Sequence, residues 1–388
     1  MRKHIIATIA GTLLVISATR GQTNLSVTAF GMNGVLTFHE VTNAAMYHVE
    51  WSTNLSSASW STSAPPGMAD IPAVGTGTRS VTLGVGQVQS HYRVVATVTN
   101  SANGAPAGMV LIPSGSFTMG SAFVDDGDAD ELPRNTVTVS EFYMDMHEVT
   151  KALWDEVRAW ATNQGYAMTT GGGIATNHPV NFVNWFDVVR WCNARSEREG
   201  LTPVYYTNAG FTAVYKTGLV APFVNWNANG YRLPTEAEWE KAARGGTEDT
   251  RFPWSDFTNK ISWAKANYYG ASNSYSYDLD GADGAYHPTF VTASFPYTSP
   301  VGSFAPNGYG LYDMAGNVWE WCWDWYQSNY YTNMPTSDPR GPAGPLSDRV
   351  RRGGSWNTFA RAVRVAERAR DAPSTQNNEL GFRCVRVP

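Results

Sequence analysis

Tryptophan and glycine together constrain this chain most. Fifteen Trp and 36 Gly in 388 residues, with only 16% charged residues, call for large buried rings on a loop-rich frame rather than a long helical bundle. The densest run, Trp319-Glu-Trp-Cys-Trp-Asp-Trp325, hems Cys322 in with rings. A cysteine in apolar surroundings has a raised pKa and is unreactive. The length allows one to three domains. The net charge of -5 is mild, with no basic stripe for nucleic acid and no polybasic run for an anionic membrane.

Residues 1–21 read as an export signal. Arg2 and Lys3 give the positive start, Ile5 to Ile16 a short apolar core, and small residues follow up to Gly21. That core is too short to span a bilayer comfortably; a buried N-terminal strand or helix is the other reading. No cysteine follows it, which argues against a lipoprotein anchor. The expectation is an exported protein, periplasmic or extracellular, with no membrane anchor after signal cleavage. Residues 24–99 are β-rich. Leu25 to Phe30, Val35 to Phe38, Tyr47 to Trp51, Val81 to Leu83 and Tyr92 to Val98 alternate or run apolar between Gly, Asn, Ser and Pro. Such spacing predicts a small all-β sandwich, loosely similar to a fibronectin type III module. Residues 100–107 form a linker, and the character changes at Gly108.

Helix signals are clear beyond Gly108. Thr150 can cap Lys151 to Ala161, whose Leu153, Trp154, Val157 and Trp160 form an apolar stripe. Asn184 can cap Trp185 to Arg198. Thr235 and Glu238 form a capping box, and Gly245 is a natural stop.

Ordered blocks run through residues 108–388. They include Gly108-Met-Val-Leu-Ile-Pro-Ser-Gly-Ser-Phe-Thr-Met-Gly-Ser, Phe142-Tyr-Met-Asp-Met-His-Glu-Val-Thr and His178-Pro-Val. Tyr231-Arg-Leu-Pro-Thr-Glu-Ala-Glu-Trp-Glu, Pro306-Asn-Gly-Tyr-Gly-Leu-Tyr-Asp-Met-Ala-Gly-Asn-Val-Trp-Glu-Trp, Arg352-Gly-Gly-Ser-Trp and Gly381-Phe-Arg-Cys complete the set. Together they resemble the formylglycine-generating enzyme, or sulfatase-modifying factor, family. The resemblance implies an α+β, loop-rich, C-type-lectin-like fold preceded by the β-module. It also implies an oxidase that uses a pair of copper-binding cysteines after the Gly-Gly-Ser step. Aligned from Gly353-Gly354, those cysteines fall at Thr358 and Val363; aligned backward from Arg364 to Arg368, the second falls at Ala360. Neither register supplies sulfur, so no copper is expected. Ser355 matches a family active-site serine, and a turn hydroxyl is its simpler role.

The same resemblance implies further residues. Cys192 and Cys384 match a structural disulfide, worth roughly 3–5 kcal/mol by chain entropy; two inert buried thiols are the alternative. Structural calcium would take the side chains of Asp313 and Glu320 and the carbonyls of Gly316 and Val318, since hard cations prefer oxygen. A second calcium would use Asn267, Tyr268, Asp283 and Ala285, unless that acidic loop is a solvated turn. The aspartates from Asp125 to Asp130 read as a solvated loop. Arg349, Arg351, Arg352, Arg361, Arg364, Arg368 and Arg370 can bind a carboxylate or sulfate, or can salt-bridge acidic loops; the second is the preferred reading. A ligand groove in place of the cysteines would be lined by Trp356, Thr358, Arg361, Arg364 and Arg368. The seven histidines show no metal spacing. The resulting expectation is a non-catalytic module binding an unidentified peptide or glycan, with a diverged formylglycine-generating oxidase acting on sulfatase cysteines as the alternative.

Overall fold

The computed structural model describes residues 105–388 apart from 124–126, 257 and 293, together with the backbone of the strands within residues 1–104. Two units divide the chain at Gly104 and Ala105.

The first unit holds β1 (His4–Ile9), β2 (Thr12–Ser17), β3 (Val27–Phe30), β4 (Val35–His39), β5 (Ala44–Ser52), β6 (Ile71–Pro72), β7 (Thr78–Thr82) and β8 (His91–Val98). They form a sheet of order β1-β2-β8-β5-β6 and another of order β3-β4-β7. Each strand read from the alternation overlaps an observed one. The longest pairing is antiparallel, β5 on β8, with Trp51 opposite Tyr92. The apolar run read as a leader lies in β1 and β2, which pair antiparallel with Ile6 opposite Val15. Branched apolar residues are strand formers as much as leader formers.

The second unit mixes short strands with few helices. Its strands are β9 (Met109–Ile112), β10 (Gly115–Met119), β11 (Asn135–Val139), β12 (Phe142–Asp145), β13 (Tyr205–Tyr206), β14 (Phe223–Val224), β15 (Trp319–Trp325), β16 (Arg349–Arg352), β17 (Ala369–Asp371), β18 (Leu380–Gly381) and β19 (Val385–Arg386). β19-β12-β9 and β17-β16-β15-β18 are its larger sheets, and β10 pairs with β11. The helices are α1 (Lys151–Thr162), α2 (Trp185–Arg198) and α3 (Glu236–Arg244). All obey their local signals. Thr150 accepts from the Leu153 amide, Asn184 from the Asp187 amide, and Thr235 with Glu238 closes a full capping box. Gly245 ends α3 in the left-handed conformation at φ 57°.

Large rings fill the space between these elements. Trp154 of α1 and Trp191 of α2 stack with centroids 5.8 Å apart, and Phe382 meets both edge-on. Such pairs add roughly 0.5–1.5 kcal/mol beyond area burial. A buried ionic seam fixes α3 to the C-terminal sheet. Arg368 holds Glu236 in a fork at 2.7 and 2.9 Å, and Arg352 reaches Glu240. Removing one partner of such a pair strands a buried charge at a cost of about 3–5 kcal/mol.

Candidate functional site

The loop after β16 carries the positions of interest. Gly353 and Gly354 turn it with φ of 93° and 75°. A methyl on Gly354 would run into Val363 Cγ1 and lie 3.0 Å from Thr358 Oγ1. Thr358 and Val363 therefore approach the same point; Ala360, the other candidate position, is not among the atoms nearest Gly354. Neither side chain can act as a thiolate. Thr358 is used as a turn residue: its Oγ1 accepts from the Ser355 amide at 2.8 Å and donates to the Ser355 carbonyl at 3.0 Å. The Ser355 hydroxyl accepts from the Asn357 amide, a local turn contact, and donates to Glu379 Oε2 at 2.7 Å. Cys192, Cys322 and Cys384 are all buried, and burial pushes the Cys322 thiol well above its usual range.

Most of the arginines placed in the groove are elsewhere. Arg364 is buried and forks onto Glu131 at 2.9 and 2.7 Å, with Glu367 at 2.7 Å. Arg368 is buried on Glu236. Arg361 pairs with Asp128. Arg351 meets Asp371 at 3.1 Å and Arg370 lies 3.7 Å from Asp348. Arg349 is sandwiched between Trp185 and Trp325, and burial lowers its pKa to about 9. Six of the seven arginines are thus ion-paired, and Arg349 is held by rings instead. Asp128, Glu131 and Glu367 come within metal-binding reach of one another, but Arg361 and Arg364 already hold them. Of the acidic run, Asp128 and Asp130 are thus not free: Asp130 accepts from the Tyr326 hydroxyl at 2.6 Å.

In place of arginines, the loop is surrounded by rings that sequence reasoning did not assemble. Trp356 is buried, with its Nε1 on the Asn378 carbonyl at 3.2 Å. Tyr286, Phe295 and Tyr297 cover it at centroid distances of 5.6, 5.3 and 5.5 Å. Tyr286 meets Tyr269 at 4.8 Å, and Tyr269 meets Phe359 at 5.3 Å. Phe295 is 56% exposed and Phe359 45%. Only the aromatic density between Trp263 and Tyr297 hinted at this belt, since its rings come from separate loops.

Behind the belt lies a buried acidic centre. Asp313 accepts from the Gly302 amide through Oδ2 at 2.6 Å, while its buried Oδ1 has no partner. Burial, with the charge of Glu320 adding to it, lifts its pKa to about 6. Glu320 accepts from Arg383 through both oxygens and from Trp239 Nε1 at 2.7 Å. Glu148, which the sequence did not single out, joins them. Burial, then Asp313 and Glu320, drive its pKa well upward, and its oxygens receive Asn317 Nδ2 at 3.1 Å and the Val318 amide at 3.4 Å. An orphaned oxygen beside further carboxylates suits a hard cation. Of the expected donors, Asp313 and Glu320 lie close enough for the charge of one to act on the other, with Glu320 already engaged by a guanidinium. This loop is tied directly to the ring belt. The Gly316 amide donates to the Gly353 carbonyl at 2.8 Å, and the Trp356 amide to the Asn317 carbonyl at 2.9 Å.

Residues of the second proposed donor set also make contacts within the fold. Asn267 Nδ2 bonds the Tyr297 carbonyl, Trp263 Nε1 bonds the Tyr268 carbonyl, and the Gly270 amide bonds the Ala285 carbonyl. Asp283 is exposed and accepts from Asn273 at 2.9 Å. The buried acid of this loop is Asp278, which takes the Tyr268 hydroxyl at 2.5 Å. Elsewhere, Cys192 and Cys384 meet with sulfurs 3.5 Å apart, in contact as thiols.

A family model for the sulfatase-modifying factor enzyme 1-like domain matches residues 94–388. The formylglycine-generating enzyme of Streptomyces coelicolor is 35% identical over 303 residues, spanning 72% of this chain and 88% of that one. The chaperone protein LppX of Paenibacillus barcinonensis is 30% identical, spanning 72% and 89%. The serine/threonine-protein kinase pkn1 of Chlamydia pneumoniae is 33% identical over 72% of this chain and 38% of its own. Among solved structures, Treponema denticola variable protein 1 matches with a TM-score of 0.54 at 30% identity, covering 72% of this chain and 95% of that one. PvdO from Pseudomonas aeruginosa gives 0.52 at 26% identity, covering 72% and 94%. With its mixed, helix-poor second unit and its Gly-Gly loop, the chain belongs to the sulfatase-modifying factor family, on the C-type-lectin-like fold of formylglycine-generating enzymes.

Proposed function

We propose that this chain is an exported recognition module, not a formylglycine-generating oxidase, and that it holds an extended peptide or a glycan on the ring belt beside Thr358. One observation carries this reading: Thr358 and Val363 meet at Gly354 where the oxidases need two thiolates, and every cysteine of the chain is buried elsewhere. Thiolate chemistry needs an ionisable, accessible sulfur. Relatives named as a kinase and as a chaperone carry the same domain, which fits a fold whose function lies in its site rather than its frame. The alternative is a diverged oxidase, favoured by the overall identity to formylglycine-generating enzymes. Mass spectrometry of a sulfatase-motif peptide after aerobic incubation with copper separates the two, because turnover at an enzymatic rate would sink the recognition reading.

In the same proposal, calcium is a structural cofactor. Asp313 Oδ1 and the carbonyls of Gly316 and Val318 would hold it, with Glu148 and Glu320 as the adjoining carboxylates. Its charge would relieve the crowding of acids and stiffen the loop that bonds Gly353 and Trp356. A disulfide between Cys192 and Cys384 would form in the exported protein.

A further inference from the structure

We infer that the ligand is a neutral, linear oligosaccharide lying along the edge-to-face run of rings from Phe295 through Tyr286 and Tyr269 to Phe359, with sugar faces against the exposed Phe295 and Phe359 and its hydroxyls read by Asn357 and Glu379. This rests on the recognition reading above and deepens it.

The apolar side comes first. Phe295 and Phe359 are exposed at opposite ends of a continuous run of ring contacts through Tyr286 and Tyr269. Large rings exposed together mark interaction surfaces. A pyranose ring offers a flat C–H face that such rings can cover, and hydroxyls at its edge.

The polar side has the matching chemistry. The Tyr286 hydroxyl donates to Asn357 Oδ1 at 3.0 Å, and Asn357 Nδ2 donates to Glu379 Oε1 at 2.8 Å. Glu379 Oε2 receives the Ser355 hydroxyl. An ionised carboxylate has about four lone-pair sites, so acceptor capacity remains for ligand hydroxyls. A few convergent polar groups beside apolar lining fix a ligand's orientation, and hydrogen bonds to a charged group are the stronger kind.

Two features disfavour other ligands. A peptide strand needs an open backbone edge to pair with. Here the Tyr269 amide is on the Thr358 carbonyl, Gly270 and Ala285 bond each other in both directions, and the Trp356 amide is on the Asn317 carbonyl. An acidic glycan needs an unpaired cation. Arg361 is held by Asp128, and Arg351 by Asp371.

The test titrates the full chain with cellohexaose, xylohexaose, mannohexaose and tetragalacturonate, monitored by tryptophan fluorescence and calorimetry. At least one neutral hexasaccharide should bind with Kd below about 1 mM, and the acidic one more weakly. Phe295→Ala with Phe359→Ala should weaken binding by at least about tenfold, and Asn357→Ala severalfold, with unchanged circular dichroism because these side chains are exposed. Failure of every neutral sugar, preference for tetragalacturonate, or binding that survives the double substitution overturns the inference. A parallel arm uses a sulfatase-motif peptide with serine for cysteine. If that peptide alone binds, and the double substitution abolishes it, the recognition reading stands and the sugar inference falls. If neither class binds, both fall.

Discussion

Arg383 grips Glu320 through Nε at 3.0 and 2.8 Å and through Nη2 at 2.7 Å, with both residues buried. Glu320 is therefore first the counter-charge of Arg383, whatever else it serves. Glu320→Ala should cost about 3–5 kcal/mol in urea unfolding of the second unit, with or without calcium. Pairing Glu320→Leu with Arg383→Met should recover most of that loss. A cost below about 1 kcal/mol for Glu320→Ala would mean that the pair is not formed.

Calcium is tested better at Asp313. Its folded pKa of about 6 lies above the usual carboxylate value of 3.8. The folded chain then holds this proton more tightly than the unfolded chain. The stability this group contributes is full below about pH 4 and lost as pH rises through 6, a change of roughly 3 kcal/mol. In chelator, melting temperature should fall between pH 4 and 7, and Glu148, also raised, acts in the same direction. Calcium should restore it at pH 7, by about 2.7 kcal/mol at a hundredfold excess over Kd. Asp313→Asn should flatten the slope. Equal melting with calcium and with chelator at pH 7, after the chelator has been shown to strip the ion, would remove calcium from the account.

Cys192 and Cys384 should be linked, and Cys322 free, in protein recovered from an oxidising compartment. Their sulfurs already touch at 3.5 Å. Peptide mapping without reductant reads the pairing directly, and finding both as free thiols would refute it. Cys192→Ser should then lower stability by about 2–5 kcal/mol.

The chain should leave the cysteine of a sulfatase-motif peptide unmodified, at the rate of a protein-free control with copper. Thr358→Cys combined with Val363→Cys should create copper(I) binding that the parent lacks, because both side chains face Gly354. Titration with a copper(I) chelator as competitor measures this. Equal affinity in parent and variant would place the copper elsewhere.

What could be read from the residues alone was local. Thr150, Asn184, Thr235 with Glu238, and Gly245 each act within one helical turn, and the helices start and stop where they indicate. Arg364 and Arg368 were misassigned to the groove because Glu131 and Glu236 lie 233 and 132 residues away along the chain. Glu148 was overlooked for the same reason. No periodicity links it to Asp313, and only folding reveals that they share one buried volume. The ring belt draws Tyr269, Tyr286, Phe295 and Phe359 from different loops, so spacing carries no trace of it.

The segment from Gly353 to Val363 is pinned at both ends. Arg352 enters α3 at Glu240 just before it, and Arg364 and Arg368 reach Glu131 and Glu236 just after it. Such a span has little freedom left to lose. A ligand arriving on the rings would meet a surface already in its bound shape, so the ordering entropy that weakens most loop-based recognition is largely spent during folding. Changes of specificity among relatives built this way can then come from exchanging side chains along the span, without altering its path.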